Sequence, residues 1–234
     1  MRYTSVKPTQ ENLITELIAS GWLKTPQIIE AFSQIKREDF VLEEEKEWAY
    51  INDALSIGYN QTISQPLVVA LMIELLSPQP GEKILDLGSG SGWTTALLAY
   101  LVSQKGNSKF KILNPKQIAN SKFEIRKGKV MAIDIIPELV EFGKKNVGKY
   151  NFVKKGIVHF LCADGKLGYE KEAPYDKILV SASAFEVPEE LFKQLKIGGK
   201  MVLPIEESIV LIEKTSQNDY LKQEFPGFVF VPLL

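Results

Sequence analysis

KILDLGSGSG, residues 83–92, joins a short apolar run to a glycine-rich turn. The apolar run predicts a buried strand, and the residues from Trp93 to Val102 predict a helix directly after the turn. Glycines between a strand and a helix let backbone amides approach a ligand at the carboxyl edge of a parallel sheet. We therefore expect an α/β fold with a ligand site at this turn.

The segments on both sides of this turn repeat the alternation of strand and helix. Apolar runs predict strands at residues 83–87, 129–134, 157–162, 176–183 and 200–205. Helical periodicity predicts helices at residues 9–22, from Pro26 onward, and at 66–76, 93–102, 137–150 and 188–195. After Pro204 the pattern predicts strands at residues 208–214 and 227–233. The expected sheet is mostly parallel, with helices on both faces and an antiparallel C-terminal strand pair.

The composition excludes several classes of protein. Lys and Arg number 28 against 29 Asp and Glu, so no global field attracts nucleic acid or an anionic membrane. Cys162 is the single cysteine, which excludes an intrachain disulfide and a multi-cysteine metal site. The N-terminal residues lack a signal-peptide h-region, and no apolar run has the length of a membrane span. We expect a cytoplasmic protein without nucleic-acid or membrane partners and without a metal.

Acidic residues lie at or near the ends of three successive strands in this region. Asp86 belongs to the first strand, Asp134 ends the next, and Asp164-Gly165 follows the third. A carboxylate at the position of Asp134 is placed to accept hydrogen bonds from a ribose diol. Asp164-Gly165 is placed to meet an adenine, although the same dipeptide is also a turn signal. A nicotinamide dinucleotide is disfavoured, because Trp93 stands where the third glycine of G-x-G-x-x-G belongs.

This series resembles the class I S-adenosylmethionine-dependent methyltransferases, with DLGSGSG as the cofactor loop. The resemblance implies a Rossmann-like fold and S-adenosylmethionine as the cofactor, with S-adenosylhomocysteine as the product. It also implies a set of cofactor-binding residues: Gln61, Asp86, Gly88, Ser89, Gly90, Gly92, Asp134, Ile135, Asp164 and Gly165.

IGYNQTISQP, residues 57–66, resembles the signature of the protein-L-isoaspartate O-methyltransferases. Similarity to that family extends to residues 17–41, 181–188, 194–204 and 229–233, although the family often has glycine where Asn60 stands. The resemblance implies methylation of the α-carboxylate of L-isoaspartyl residues in damaged proteins and peptides, with D-aspartyl residues as a further candidate. The methyl ester then collapses to a succinimide, whose hydrolysis restores part of the normal aspartate.

Ser64 is the candidate catalytic residue, since the family's active-site serine maps onto it. Its hydroxyl can donate to the substrate carboxylate; the alternative is a cap for the helix that begins at Pro66. The carboxylate is already ionised at neutral pH, so no general base is required, and His159 is interpreted as structural. The candidate substrate-binding residues are Asn60, Thr62, Ser64, Leu203 and Pro204.

The chain is expected to form one domain and a monomer. Residues 1–65 supply N-terminal helices and the substrate segment, residues 66–234 form the cofactor-binding core, and a basic insertion occupies 103–128. That insertion is either a solvated loop or a contact for an acidic partner. Two other functions stay open: methylation of another carboxylate or a small molecule, and cofactor binding without catalysis.

Overall fold

The computed structural model describes residues 8–104 and 127–230. The predicted insertion 103–128 therefore lies almost entirely outside the described residues, as do the first seven residues and 231–234. Among the described residues, we find no helix with the length and apolar character that a membrane crossing requires.

A sheet of seven strands forms the centre of the described part of the chain. Two further strands, β1 (Leu55–Gly58) and β2 (Gln61–Ile63), form a separate hairpin. The sheet contains β3 (Lys83–Leu87), β4 (Lys129–Asp134), β5 (Val158–Cys162), β6 (Tyr175–Val180), β7 (Leu195–Ile205), β8 (Ser208–Lys214) and β9 (Tyr220–Pro226). Their order is β5-β4-β3-β6-β7-β8-β9. β3 to β7 are parallel, and β8 and β9 are antiparallel, which confirms the predicted fold class.

The last strand departs from the prediction. We predicted residues 227–233, but the strand that pairs with β8 is β9 (Tyr220–Pro226), and Gly227–Phe230 follow it without strand pairing. A polar turn explains the difference. Thr215 donates its backbone N–H to the Asp219 carbonyl at 2.9 Å, which closes a short hairpin and starts β9 at Tyr220. Residues 231–233 of the predicted strand lie outside the described part of the chain.

Six α-helices of the described residues accompany the strands. They are α1 (Gln10–Ala19), α2 (Pro26–Gln34), α3 (Pro66–Leu76), α4 (Trp93–Ser103), α5 (Pro137–Gly148) and α6 (Glu189–Gln194). Thr9 caps α1 by accepting from the Asn12 N–H, and Gly21 at φ +75° follows its end. Proline begins α2, α3 and α5, where its missing N–H costs no helical hydrogen bond.

The hairpin of β1 and β2 was not predicted. Its turn consists of Tyr59 and Asn60, both with φ 56°. Asparagine tolerates this left-handed conformation better than most residues, as glycine does. Asn60 is therefore suited to the backbone conformation of this turn.

The N-terminal helix α2 packs against α4 and α3 of the core, and α1 packs against α2. Buried residues of α1 and α2, such as Leu17 and Phe32, belong to the same apolar cluster as residues of α3, α4 and β3. Phe32 meets the Trp93 ring edge-on, with the ring centroids 5.6 Å apart. This packing places residues 8–65 beside the glycine-rich turn, at the carboxyl edge of the parallel strands.

Candidate active site

An open cleft lies at the carboxyl edge of the parallel strands. The hairpin of β1 and β2, the glycine turn and the ends of β4 and β6 contribute its walls. Parallel strands end at one edge of the sheet, so residues far apart in sequence meet here. Eight of the residues predicted for the site line this cleft: Gln61, Thr62, Ser64, Gly88, Gly90, Asp134, Ile135 and Gly165.

Asp134 fixes the shape of the glycine turn. One carboxylate oxygen accepts from the Gly90 N–H at 2.8 Å, and the other accepts from the Ile136 N–H at 3.0 Å. Asp134 is 8% exposed and still lines the cleft. An ionised carboxylate has about four acceptor positions, so Asp134 retains capacity for a ligand hydroxyl.

Asp86 supports the turn from behind the cleft. It is fully buried, and Oδ2 accepts from the Thr95 hydroxyl at 2.6 Å. Burial raises the pKa of Asp86 to about 7; the hydrogen bond from Thr95 opposes this rise, and the charge of Asp134 adds to it. Oδ1 of Asp86 and Oγ of Ser89 are buried without a hydrogen-bond partner in the described part of the chain.

Gly92 packs the turn against a neighbouring helix. It has φ +84°, and a Cβ added there would lie 2.9 Å from the Gly143 carbonyl and from Val147 Cγ2. Gly92 is not among the residues that line the cleft. The absence of a side chain at Gly92 lets α5 pack closely against the turn.

Ser64 connects the hairpin to α3. Its side chain is half-buried and lines the cleft, and its backbone carbonyl accepts from the guanidinium of Arg37 at 3.1 Å. The N-cap position of α3 is occupied by Gln65, and no side-chain hydrogen bond is described for this cap. The structure therefore gives no support to the alternative interpretation of Ser64 as a helix cap.

Four further predicted residues, Asn60, Asp164, Leu203 and Pro204, are not among those that line the cleft. Asn60 is at the exposed hairpin tip, and the Asp164 side chain accepts from the Lys166 N–H at 2.9 Å, as the turn alternative expects. Leu203 and Pro204 are buried within β7, and the Pro204 carbonyl already accepts from the Ala184 N–H at 3.0 Å. The substrate-binding role of Leu203 and Pro204 therefore stays a prediction.

Several lining residues were missed by sequence reasoning. They are Ile57, Ile133, Ile136, Leu139, Ser181 and Ala182. Ser181 directly follows β6, and its N–H donates to the Leu87 carbonyl at 2.8 Å. The rule that selected Asp134, a polar residue at the end of a parallel strand, applies equally to Ser181. We predicted the strand to run to residue 183, which concealed that position.

A family model for protein-L-isoaspartate(D-aspartate) O-methyltransferases matches residues 8–234. The chain belongs to this family. Two similar relatives, both named protein-L-isoaspartate O-methyltransferase, come from Methanopyrus kandleri and Staphylothermus marinus. They are 38% and 36% identical over 229 residues, which is 96% of this chain and 91% and 93% of theirs.

Solved structures agree with the fold. One is the crystal structure of a Plasmodium falciparum protein assigned as a protein-L-isoaspartate O-methyltransferase, in complex with S-adenosyl-L-homocysteine. Its TM-score is 0.78 at 24% identity, covering 96% of this chain and 98% of that one. A second, named protein-L-isoaspartate O-methyltransferase, has a TM-score of 0.77 at 26% identity, covering 96% of this chain and 65% of that one.

Proposed function

We propose that this protein transfers a methyl group from S-adenosylmethionine to the α-carboxylate of L-isoaspartyl residues in proteins and peptides. The observation that carries the proposal is the single cleft that joins Ser64 and its hairpin to the glycine turn and Asp134. Membership of the isoaspartate methyltransferase family supplies the chemistry that this arrangement serves. D-aspartyl residues are a second substrate of the same proposed site.

The residues at the glycine turn fit an adenosyl cofactor. Gly88 and Gly90 bring backbone without side chains to the cleft wall, and Asp134 presents acceptor positions suited to a ribose diol. Gly165 and Ile135 line the same cleft and are proposed to border the adenine. When bound, S-adenosylmethionine supplies a methyl group on a positively charged sulfur.

Positioning is the main task of the protein in this reaction. The substrate carboxylate has an ordinary pKa near 4, so it is ionised at neutral pH and requires no general base. The Ser64 hydroxyl donates to one carboxylate oxygen and leaves the other oxygen free to accept the methyl group. Fixed geometry of this kind contributes several kcal/mol by proximity alone.

Apolar residues on the cleft wall assist by excluding water. Ile57, Ile133, Ile136 and Leu139 contribute hydrocarbon surface to the cleft. A carboxylate that loses its hydration shell beside a cationic centre gains reactivity, because the two opposite charges cancel during transfer. The product ester leaves the protein and collapses to a succinimide with loss of methanol.

The direct test uses two peptides that differ only in the linkage at one residue. One carries L-isoaspartate and the other normal L-aspartate, and both are incubated with methyl-labelled S-adenosylmethionine. We expect base-labile label on the isoaspartyl peptide alone. No label on either peptide, despite measurable binding of S-adenosylhomocysteine, would refute the proposed substrate and direct the search to another acceptor.

We further propose that the chain acts as one domain, as a monomer and in the cytoplasm, without nucleic-acid partners. The balance of 28 basic and 29 acidic residues and the single Cys162 support this proposal. The apolar cluster shared by the N-terminal helices and the sheet supports the single domain.

A further inference from the structure

Arg37 is a buried cation that takes no part in the chemistry proposed above. It is 1% exposed and begins the short 3-10 helix Arg37–Phe40. Its guanidinium donates to four backbone carbonyls, those of Ala49 at 2.7 Å, Ile51 at 3.4 Å, Asp53 at 2.8 Å and Ser64 at 3.1 Å. Burial lowers the pKa of Arg37 to about 9, so the side chain remains charged at neutral pH.

These four carbonyls flank the hairpin that enters the cleft. Three of them precede β1, and the fourth, that of Ser64, directly follows β2. One guanidinium thus ties both ends of the hairpin to the same point in the core. The hairpin carries Ile57, Gln61 and Thr62 into the cleft wall.

The guanidinium also packs over an aromatic side chain at the start of α4. Its Cζ lies 5.2 Å from the centroid of the Trp93 ring. Trp93 is the first residue of α4 and directly follows Gly92, the last glycine of the turn. Arg37 therefore lies between the segment that holds Ser64 and the element that begins at the glycine turn.

We propose that Arg37 is a positioning residue that fixes Ser64 and the β1–β2 hairpin relative to the glycine turn. The inference rests on the proposed function and deepens it, because it names the group that sets the distance between acceptor and methyl donor. A planar fork of donors suits several carbonyls at once, whereas the single ammonium of lysine does not. Displacement of reacting groups by about 1 Å can lower a rate about 100-fold.

Lys214 provides a matched control at the opposite edge of the sheet. It is 2% exposed and donates to the carbonyls of Phe192 at 2.7 Å and Leu195 at 2.9 Å. Leu195 begins β7, so Lys214 lies at the amino edge of the parallel strands, away from the cleft. Lys214→Met removes a buried cation and its carbonyl contacts without touching the hairpin.

The experiment compares Arg37→Lys and Arg37→Gln with Lys214→Met and the wild type. Glutamine removes the buried charge, so folding of that variant does not depend on burial of an ammonium. Four quantities are measured: kcat on the isoaspartyl peptide at saturating cofactor, the Kd for S-adenosylhomocysteine, amide hydrogen exchange and Tm. We expect both Arg37 variants to lower kcat by about tenfold or more while the Kd changes by less than about threefold.

Hydrogen exchange separates positioning from general destabilisation. In the Arg37 variants, residues 55–64 should exchange faster while the amides of β3 and β4 keep their wild-type protection. Lys214→Met should lower Tm and leave both kcat and hairpin exchange unchanged. Wild-type kcat and hairpin exchange in the Arg37 variants, or an equal loss of kcat in Lys214→Met, would overturn the proposal. If the wild type fails to methylate the peptide, the proposed function is refuted. The positioning role of Arg37 is still tested in that case, because hydrogen exchange of the hairpin does not depend on activity.

Discussion

Ser64 presents a half-buried hydroxyl to the cleft from a backbone that Arg37 holds in place. We predict that Ser64→Ala lowers kcat on the isoaspartyl peptide by about 10- to 100-fold, because one hydrogen bond to a charged group is lost. The Kd for S-adenosylhomocysteine should stay within about threefold of the wild-type value. Steady-state kinetics and calorimetry check the two expectations.

A surface serine supplies the control for this substitution. Ser33 is exposed, and its hydroxyl donates to the Ile29 carbonyl on α2, outside the cleft. Ser33→Ala should retain wild-type kinetics. Full activity of Ser64→Ala would show that the substrate carboxylate is oriented by another group.

Asp86 makes the stability of the protein depend on pH. Burial raises its folded pKa to about 7 from an ordinary value of 3.8, so the folded state holds the proton more tightly than the unfolded state. This contribution to stability is complete below about pH 4 and is lost as the pH rises through about 7.

Asp86→Asn stays uncharged and keeps an oxygen that can accept from Thr95. The compared quantity is the free energy of unfolding of the wild type minus that of Asp86→Asn. We predict that this difference falls by at most a few kcal/mol between pH 5 and pH 8. Urea denaturation at the two pH values measures the difference. Parallel behaviour of the two proteins would show that Asp86 does not titrate in this range.

At the scale of elements, the contact between the glycine turn and α5 depends on a missing side chain. A Cβ on Gly92 would lie 2.9 Å from the Gly143 carbonyl, at a backbone φ of +84°. We predict that Gly92→Ala lowers the free energy of unfolding by about 1–3 kcal/mol or more, measured by urea denaturation.

Gly148, at the end of α5, is the matched control. A Cβ added there meets no atom within 4 Å. Gly148→Ala should be neutral or slightly stabilising, because alanine favours the helix over glycine. Equal effects of the two substitutions would contradict the packing role assigned to Gly92.

Most of the strands that the sequence predicted are largely buried, and β5 is the exception. β4 and β8 were predicted with their observed bounds, since both are almost continuous apolar runs. β9 was missed because nearly all of its residues are exposed and its sequence, YLKQEFP, carries no apolar pattern. Its existence depends on pairing with β8, which a local pattern does not encode.

The candidate site was predictable where it lies on strand ends. A polar residue at the end of a parallel strand was expected at the ligand site, and Asp134 does line the cleft. The hairpin of β1 and β2 could not be predicted in this way, because its turn consists of Tyr59 and Asn60 and contains no glycine. The role predicted for Leu203 rests on the family resemblance alone, which carries no information on its burial inside the sheet, and it stays a prediction.

At the scale of the whole molecule, the N-terminal segment and the sheet core share the cleft, so a ligand there couples the two. We predict that S-adenosylhomocysteine at about 100 times its Kd stabilises the protein by about 2.7 kcal/mol. NAD should produce no shift, because Trp93 replaces the glycine that a dinucleotide turn requires. Thermal unfolding with each ligand checks both expectations. Stabilisation by NAD and not by S-adenosylhomocysteine would point to an oxidoreductase.

The most direct test is a crystal structure of the protein with S-adenosylhomocysteine and an isoaspartyl peptide. The predicted result places the α-carboxylate of the isoaspartyl residue within about 3 Å of Ser64 Oγ, with the ribose hydroxyls at Asp134. Both ligands should occupy the one cleft between the hairpin and the glycine turn. A peptide bound elsewhere, or a carboxylate held without Ser64, would contradict the proposed site and its mechanism.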